Sequence, residues 1–158
     1  MSTMTPRDYL QQARGMATRL EALNERRQRY ESLATSATAH YRSGPGSTKR
    51  VSSVEEYAVK LADLSAEMNL RAEIYAEALR EIEAAIDAVP VPLYRDVLKF
   101  RYLNGWKWER IAETLHYTRP SIGRIHGRAL LCVVVPREAE PVEDTVKRAM
   151  RERNAPGR

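Results

Sequence analysis

Between Thr118 and Leu130 the chain sets Arg119, Ser121, Arg124 and Arg128 among Ile122, Ile125, Ala129 and Leu130. The four apolar positions recur at i, i+3, i+7 and i+8, which is one face of a helix, so the arginines and the serine are left on the other. A guanidinium is a planar fork of donors matching the two acceptors on the major-groove edge of guanine, and a hydroxyl reaches a base or a phosphate oxygen. The chemistry on offer is recognition of duplex DNA by hydrogen bonding. Arg119, Pro120, Ser121, Gly123 and Arg124 are the candidate base contacts, and Lys107, Arg110, Thr118 and Arg128 the candidate phosphate contacts. Ordinary solvated surface explains Lys107 and Arg110 equally well, and Thr118 is also a capping residue.

Bond-making chemistry has little to work with. His40, His116 and His126 are scattered, and no Cys or carboxylate group has metal-ligand spacing, so no catalytic residue, metal or cofactor is expected. Asp and Glu residues of the first half fall on polar helix faces, where solvation accounts for them. The protein is expected not to be an enzyme.

The elements that must position the arginines can be read from the same stretch. A helix from about Lys107 to Leu115 would bury Trp108, Ile111, Ala112 and Leu115. Ala112 then marks the crossing with the next helix, where only a small side chain lets two backbones approach. His116-Tyr117-Thr118 is the tight turn between them. Thr118 caps the second helix, and Pro120 lies in its first turn, where a missing N–H costs little. Gly123 and Gly127 are unusual inside a helix, each costing about 1 kcal/mol against Ala. Either the helix is frayed without DNA, or Gly123 lets the backbone approach the duplex closely.

These residues resemble a known family. Thr118-Arg119-x-x-Ile122-x-x-Ile125-x-x-x-Ala129-Leu130 looks like the recognition helix of region 4 of sigma-70-type factors, and Trp108-Glu109-x-Ile111-Ala112-x-x-Leu115 is similar to the helix before it. Tyr94-Arg95-x-Val97-Leu98-x-x-Arg101-Tyr102-Leu103-x-Gly105 is similar to the lead helix of that module. The resemblance spans Leu93–Leu131 and is closest to small sigma-like proteins of phages and prophages, some of which activate late genes. It implies a helix-turn-helix, duplex DNA as partner, and host RNA polymerase as a second partner. Pro120 and Gly123 depart from the usual charged or polar residues, so base preference does not carry over.

Charge supports a localised interface. Residues 90–131 hold eight Lys and Arg against three Asp and Glu, residues 1–89 twelve against thirteen, and residues 132–158 six against five. The chain's excess of +5 is therefore concentrated where DNA contact is expected. Such a face supplies sequence-independent affinity by counterion release.

Ahead of this module the pattern is that of long helices. Thr5-Pro6-Arg7-Asp8 is a helix start. Leu10, Ala13, Met16, Leu20, Leu23, Tyr30, Ala34, Ala37 and Tyr41 follow as a narrow stripe interrupted by Arg27. Ser43-Gly44-Pro45-Gly46-Ser47 breaks it. Ser53-x-x-Glu56 reads as a capping box opening a second helix, with a stripe from Tyr57 to Val89 interrupted by Arg71, ended by Pro90 and Pro92. Two helices of roughly 35 residues, about 50 Å each, imply an antiparallel coiled-coil-like hairpin. Turning near Gly46, it would bring Arg71 towards Glu21 and Asn24, and Arg27 towards Glu67. The stripe is thin, so pairing with a second copy of the chain is expected, with a partner-binding arm that contacts RNA polymerase or a simple spacer as the alternatives.

The fold class is thus all-α: a hairpin over residues 1–89, a helix-turn-helix domain over 90–135, and a charged, mobile tail over 136–158 with a short helix near Val142–Arg151. The longest apolar run, Ala129–Val135, falls far short of the roughly 20 residues that span a bilayer. The N-terminus lacks an apolar signal core, and a lone Cys132 suits a reducing compartment, so a cytoplasmic protein without a membrane partner is expected. The competing function is the DNA-recognition subunit of a phage terminase, or another packaging protein. Such subunits usually carry the DNA module first.

Overall fold

Thr5 opens the first helix by local bonding. Its Oγ1 accepts from the Asp8 N–H at 3.1 Å and donates to the Asp8 carboxylate at 2.7 Å. Pro6 follows at the position where no amide hydrogen is needed. The structure is a computed structural model, describing the backbone of residues 4–42 and 48–157 and the side chains of 4–39 and 53–157. In it α1 spans Pro6–Arg42 and α2 spans Thr48–Asp87. The Ser43–Ser47 breaker lies outside the described residues. The second helix starts earlier than the capping box implied. Ser53 is interior to it, because residues 48–52 contain neither Gly nor Pro to stop the helix extending backward.

The described chain is all helical, with no strand among the described residues, and the two long helices pack together. After Pro90 and Pro92 come α3 (Pro92–Leu98), a π-helical turn (Lys99–Leu103), α4 (Trp108–Leu115), α5 (Arg119–Leu131) and α6 (Val142–Asn154). None of the described helices is long and apolar enough to cross a membrane.

The chain divides differently from the expected boundaries. One unit runs from Thr18 to Glu73, and the other joins the chain up to Ala17 with Ile74–Arg158. In the Thr18–Glu73 unit only Leu23 and Leu64 are buried among the described residues. Tyr30 and Tyr57 meet with ring centroids 6.3 Å apart, and the Lys60 ammonium lies 5.4 Å from the Tyr30 ring. Arg27 bonds Asn24 and Glu31 on its own helix, and Arg71 bonds Glu67 on its own. The bulk of this unit's stripe is half-buried, as a two-helix pair with so many alanines must be.

The other unit has the core. Leu10 and Met16 of α1, and Tyr75, Ile82 and Ile86 of α2, are essentially inaccessible, as are Val97, Leu98, Ile111, Ile122 and Val146. Ends of the long helices therefore belong with the C-terminal helices, which is why a boundary at residue 89 does not hold. Asp87 pairs with Lys99 at 2.6 Å, and the Arg95 guanidinium donates to the Val89 carbonyl at 2.7 Å, tying α2 to the segment after the prolines.

The tail from 136 to 158 corrects the expectation of a mobile segment. Val142 and Val146, one turn apart on α6, are buried. The Val142 N–H donates to Gln12 Oε1 at 2.7 Å, and the Tyr75 hydroxyl donates to the Glu143 carboxylate at 2.5 Å. Val142, Val146, Ala149 and Met150 at i, i+4, i+7 and i+8 are the apolar signal in a charged stretch, and two bonds to α1 and α2 complete the docking.

Candidate nucleic-acid interface

The two short helices are positioned by a turn whose geometry the sequence only half announces. His116 ends α4 in the left-handed region, at φ 60° and ψ 40°. The Tyr117 N–H then returns to the Ala112 carbonyl at 2.9 Å. A non-glycine residue is uncommon there, and histidine is among those that tolerate it best. Thr118 follows as the N-cap of α5, its Oγ1 accepting from the Ser121 N–H at 3.3 Å and donating to Ser121 Oγ at 2.8 Å. The Arg124 guanidinium donates to the same Ser121 oxygen at 3.3 Å. Thr118, Ser121 and Arg124 thus form one exposed hydrogen-bonded row along the first turns of α5.

Beneath that row lies an apolar cluster. Ile111 and Ala112 of α4 cluster with Ile122 and Ile125 of α5 and Val97 of α3, and Leu93, Tyr94, Phe100, Trp106, Trp108 and Leu115 pack around them. Ala129 is buried and Leu130 half-buried. Trp108 and Leu115, expected in the buried stripe, are only half-buried.

Arg119, Pro120, Gly123, Arg124, Gly127 and Arg128 are all exposed on α5, and no Asp or Glu occurs from Thr114 to Arg137. Lys107 and Arg110 are exposed at the start of α4. Neither helix glycine is demanded by the fold. A Cβ on Gly123 would meet only the end of the Arg119 side chain at 3.6 Å, and one on Gly127 would meet nothing within 4 Å. Gly105 differs, since its φ of 70° is the left-handed bend that starts the approach to α4.

Arg119 has a dual position that sequence reading did not anticipate. Its guanidinium lies 5.2 Å from the Trp108 ring and 3.9 Å from the Glu109 carboxylate, so it leans back over α4. Arg101, from the π-helical turn, lies 4.5 Å from that Trp108 ring and donates to the Trp106 carbonyl at 3.0 Å. Arg110 lies 3.8 Å from the Trp106 ring, which stacks on Phe100 at 4.4 Å. Two tryptophans therefore hold three guanidinium groups. Burial, and then the neighbouring Arg14 charge, lower the Arg101 pKa. Arg101 was legible only as a motif residue. Its role as a cation seated on Trp108 depends on the wider π-helical turn, closed by Asn104 N–H to Lys99 carbonyl at 2.9 Å.

His126 is the other residue that sequence reading left aside. It is buried on the inner face of α5, with Nε2 2.7 Å from the Tyr102 hydroxyl and its ring edge-on to Trp108 at 4.6 Å. Burial, reinforced by Arg7, Arg101 and Arg119, pushes its pKa down to about 4. Burial also raises the Tyr102 phenol pKa. The pair is neutral at pH 7 and acts as a polar pin between the π-helical turn and α5. Its signal was spacing, because position 126 is four after Ile122 and three before Ala129.

Among the described residues, no three His, Cys, Asp or Glu side chains gather as a metal site. No family model, no curated protein and no solved structure matches this chain.

Proposed function

We propose that the chain is a sequence-specific regulator of transcription that binds duplex DNA through α4, the His116–Thr118 turn and α5, as a sigma-like helix-turn-helix does. One observation carries the reading. The exposed face of α5 is basic and acid-free, and its two glycines meet no demand from the fold. A protein surface without a partner gains nothing from two helix-weakening residues, whereas a backbone brought close to a duplex does.

In this reading Ser121 and Arg124 read base edges, with Arg124 held ready by Ser121. Arg128, Lys107 and Arg110 set register on the phosphates. Thr118 is first a cap. Arg119 can either swing from Trp108 to a base or stay and face the backbone. Pro120 and Gly123 offer shape rather than donors. The Thr18–Glu73 unit, with its thin core, pairs with a second copy, so that two recognition helices engage half-sites about one DNA turn apart. Transcription is activated with host RNA polymerase, in the manner of the phage and prophage proteins that the sequence resembles.

Selection of bound sequences from random duplex DNA tests the proposal. An enriched motif that maps upstream of an operon in the source genome is expected. Enrichment of no motif, with binding set by salt alone, would overturn sequence-specific regulation.

A further inference from the structure

On the C-terminal unit an open groove of about 760 Å³ runs between α1, the C-terminal part of α2 and the segment leading into α6. Ile74, Ala78, Ile82, Val134 and Val142 give it an apolar lining. Val134 is 78 % exposed, which is costly for a residue with no partner. The ionisable groups on the walls, apart from Tyr9, are all carboxylates: Glu77 and Glu81 from α2, Glu138 and Glu140 from the opposite side. No Lys or Arg lines the groove, although the chain carries a net +5. Glu77 already binds Arg80, and Glu140 binds Thr145 and Arg148. Among the described residues Glu81 and Glu138 have no such bond.

A second observation points the same way. Tyr9 lines this groove at 3 % exposure, and its hydroxyl has no hydrogen-bond partner among the described residues. Burial, with the Glu81 charge added, raises its pKa, so it remains a donor. An unmet buried donor is unfavourable, and a carbonyl brought within reach of it relieves that cost.

We propose that this groove docks a short amphipathic helix of a partner protein, apolar on one side and flanked by Lys or Arg. Its apolar side chains fill the floor, its cations meet Glu81 and Glu138, and a carbonyl accepts from Tyr9. The volume lies within the ~300–1,000 Å³ of ligand-sized clefts, which suits the anchoring side chains of a helix rather than a whole domain. Glu77 and Glu81 are one helical turn apart, about 6 Å, matching cations at i and i+4 on the incoming helix. The groove takes none of the residues assigned to DNA, so the inference stands whether or not DNA is bound.

The test uses the intact protein and two fluorescein-labelled peptides of about 14 residues, roughly four turns. One carries Leu on one helical face and Lys on the other, and the second has Glu in place of Lys. Because the whole protein is cationic, attraction of the Lys peptide must be local. Saturable one-to-one binding of the Lys peptide alone is expected. Binding should weaken with salt and drop about tenfold or more in Glu81→Lys/Glu138→Lys, a difference of about 1.4 kcal/mol. Ala78→Trp should block it by filling the floor. Tyr9→Phe should raise the melting temperature of the free protein while weakening the peptide. Equal binding of both peptides, or binding unchanged in the charge-reversed and Ala78→Trp proteins, would overturn the proposal. So would self-association of the protein that Ala78→Trp abolishes, since the occupant would then be a second copy.

Discussion

Acidification should weaken the C-terminal unit through His126. The imidazole is buried, bonded to Tyr102 and flanked by Arg7, Arg101 and Arg119, with its pKa at about 4 against an ordinary 6.5. The folded state therefore resists a proton that the unfolded chain accepts. Between those two values the unfolded chain binds more protons, so stability falls as pH falls. It is flat above about 6.5 and loses about 2 kcal/mol by about pH 5. The full loss near pH 4 is about 3 kcal/mol, from roughly 1.4 kcal/mol per unit. Trp106 and Trp108 are the chain's two tryptophans, and Trp108 touches His126, so indole fluorescence during urea titration reports this unit. His126→Gln keeps a partner for the Tyr102 hydroxyl and removes the titrating group. The difference between wild type and this variant should collapse towards acid pH. A parallel pH dependence in both proteins would refute the buried, neutral imidazole.

Ala112→Leu should cost about 1–3 kcal/mol by overpacking against Ile122 and Ile125, and thermal melting of this unit should show it. Gly123→Ala should stabilise α5 by up to about 1 kcal/mol, because the added Cβ meets only a flexible arginine tip, while DNA affinity measured by anisotropy falls. Gain in both properties would remove the argument for close approach. Leu61→Glu/Leu64→Glu should leave the tryptophan-reported unit folded but shift sedimentation towards monomer and weaken binding to a two-half-site duplex. An unchanged sedimentation profile would leave the Thr18–Glu73 unit as a spacer.

Much of the arrangement around α4 and α5 was legible because it rests on local rules. The Thr118 cap, the small Ala112 and the Ile122/Ile125 spacing each follow from backbone geometry over a few residues. What sequence did not yield depends on contacts between distant segments. Val142 meets Gln12, and Tyr75 meets Glu143, so a charged tail becomes a docked helix. His126 faces inward because Tyr102 is there to receive it, and Tyr102 is there because the lead helix widens into a π-helical turn. Helical spacing sets Arg119 wholly outward, yet the Trp108 face and Glu109 compete for it. Charge counting could locate the basic segment but not which guanidiniums sit on indole rings.

The most direct measurement compares wild type with Arg124→Ala on the selected duplex and on every single-base variant of it. Arg124 stands exposed beside Ser121 on the acid-free face of α5. A loss of about 1–3 kcal/mol on the preferred site is expected, with base choice relaxed at one position and kept elsewhere. An affinity and a base preference that both survive the substitution unchanged would contradict the claim that this face of α5 reads DNA.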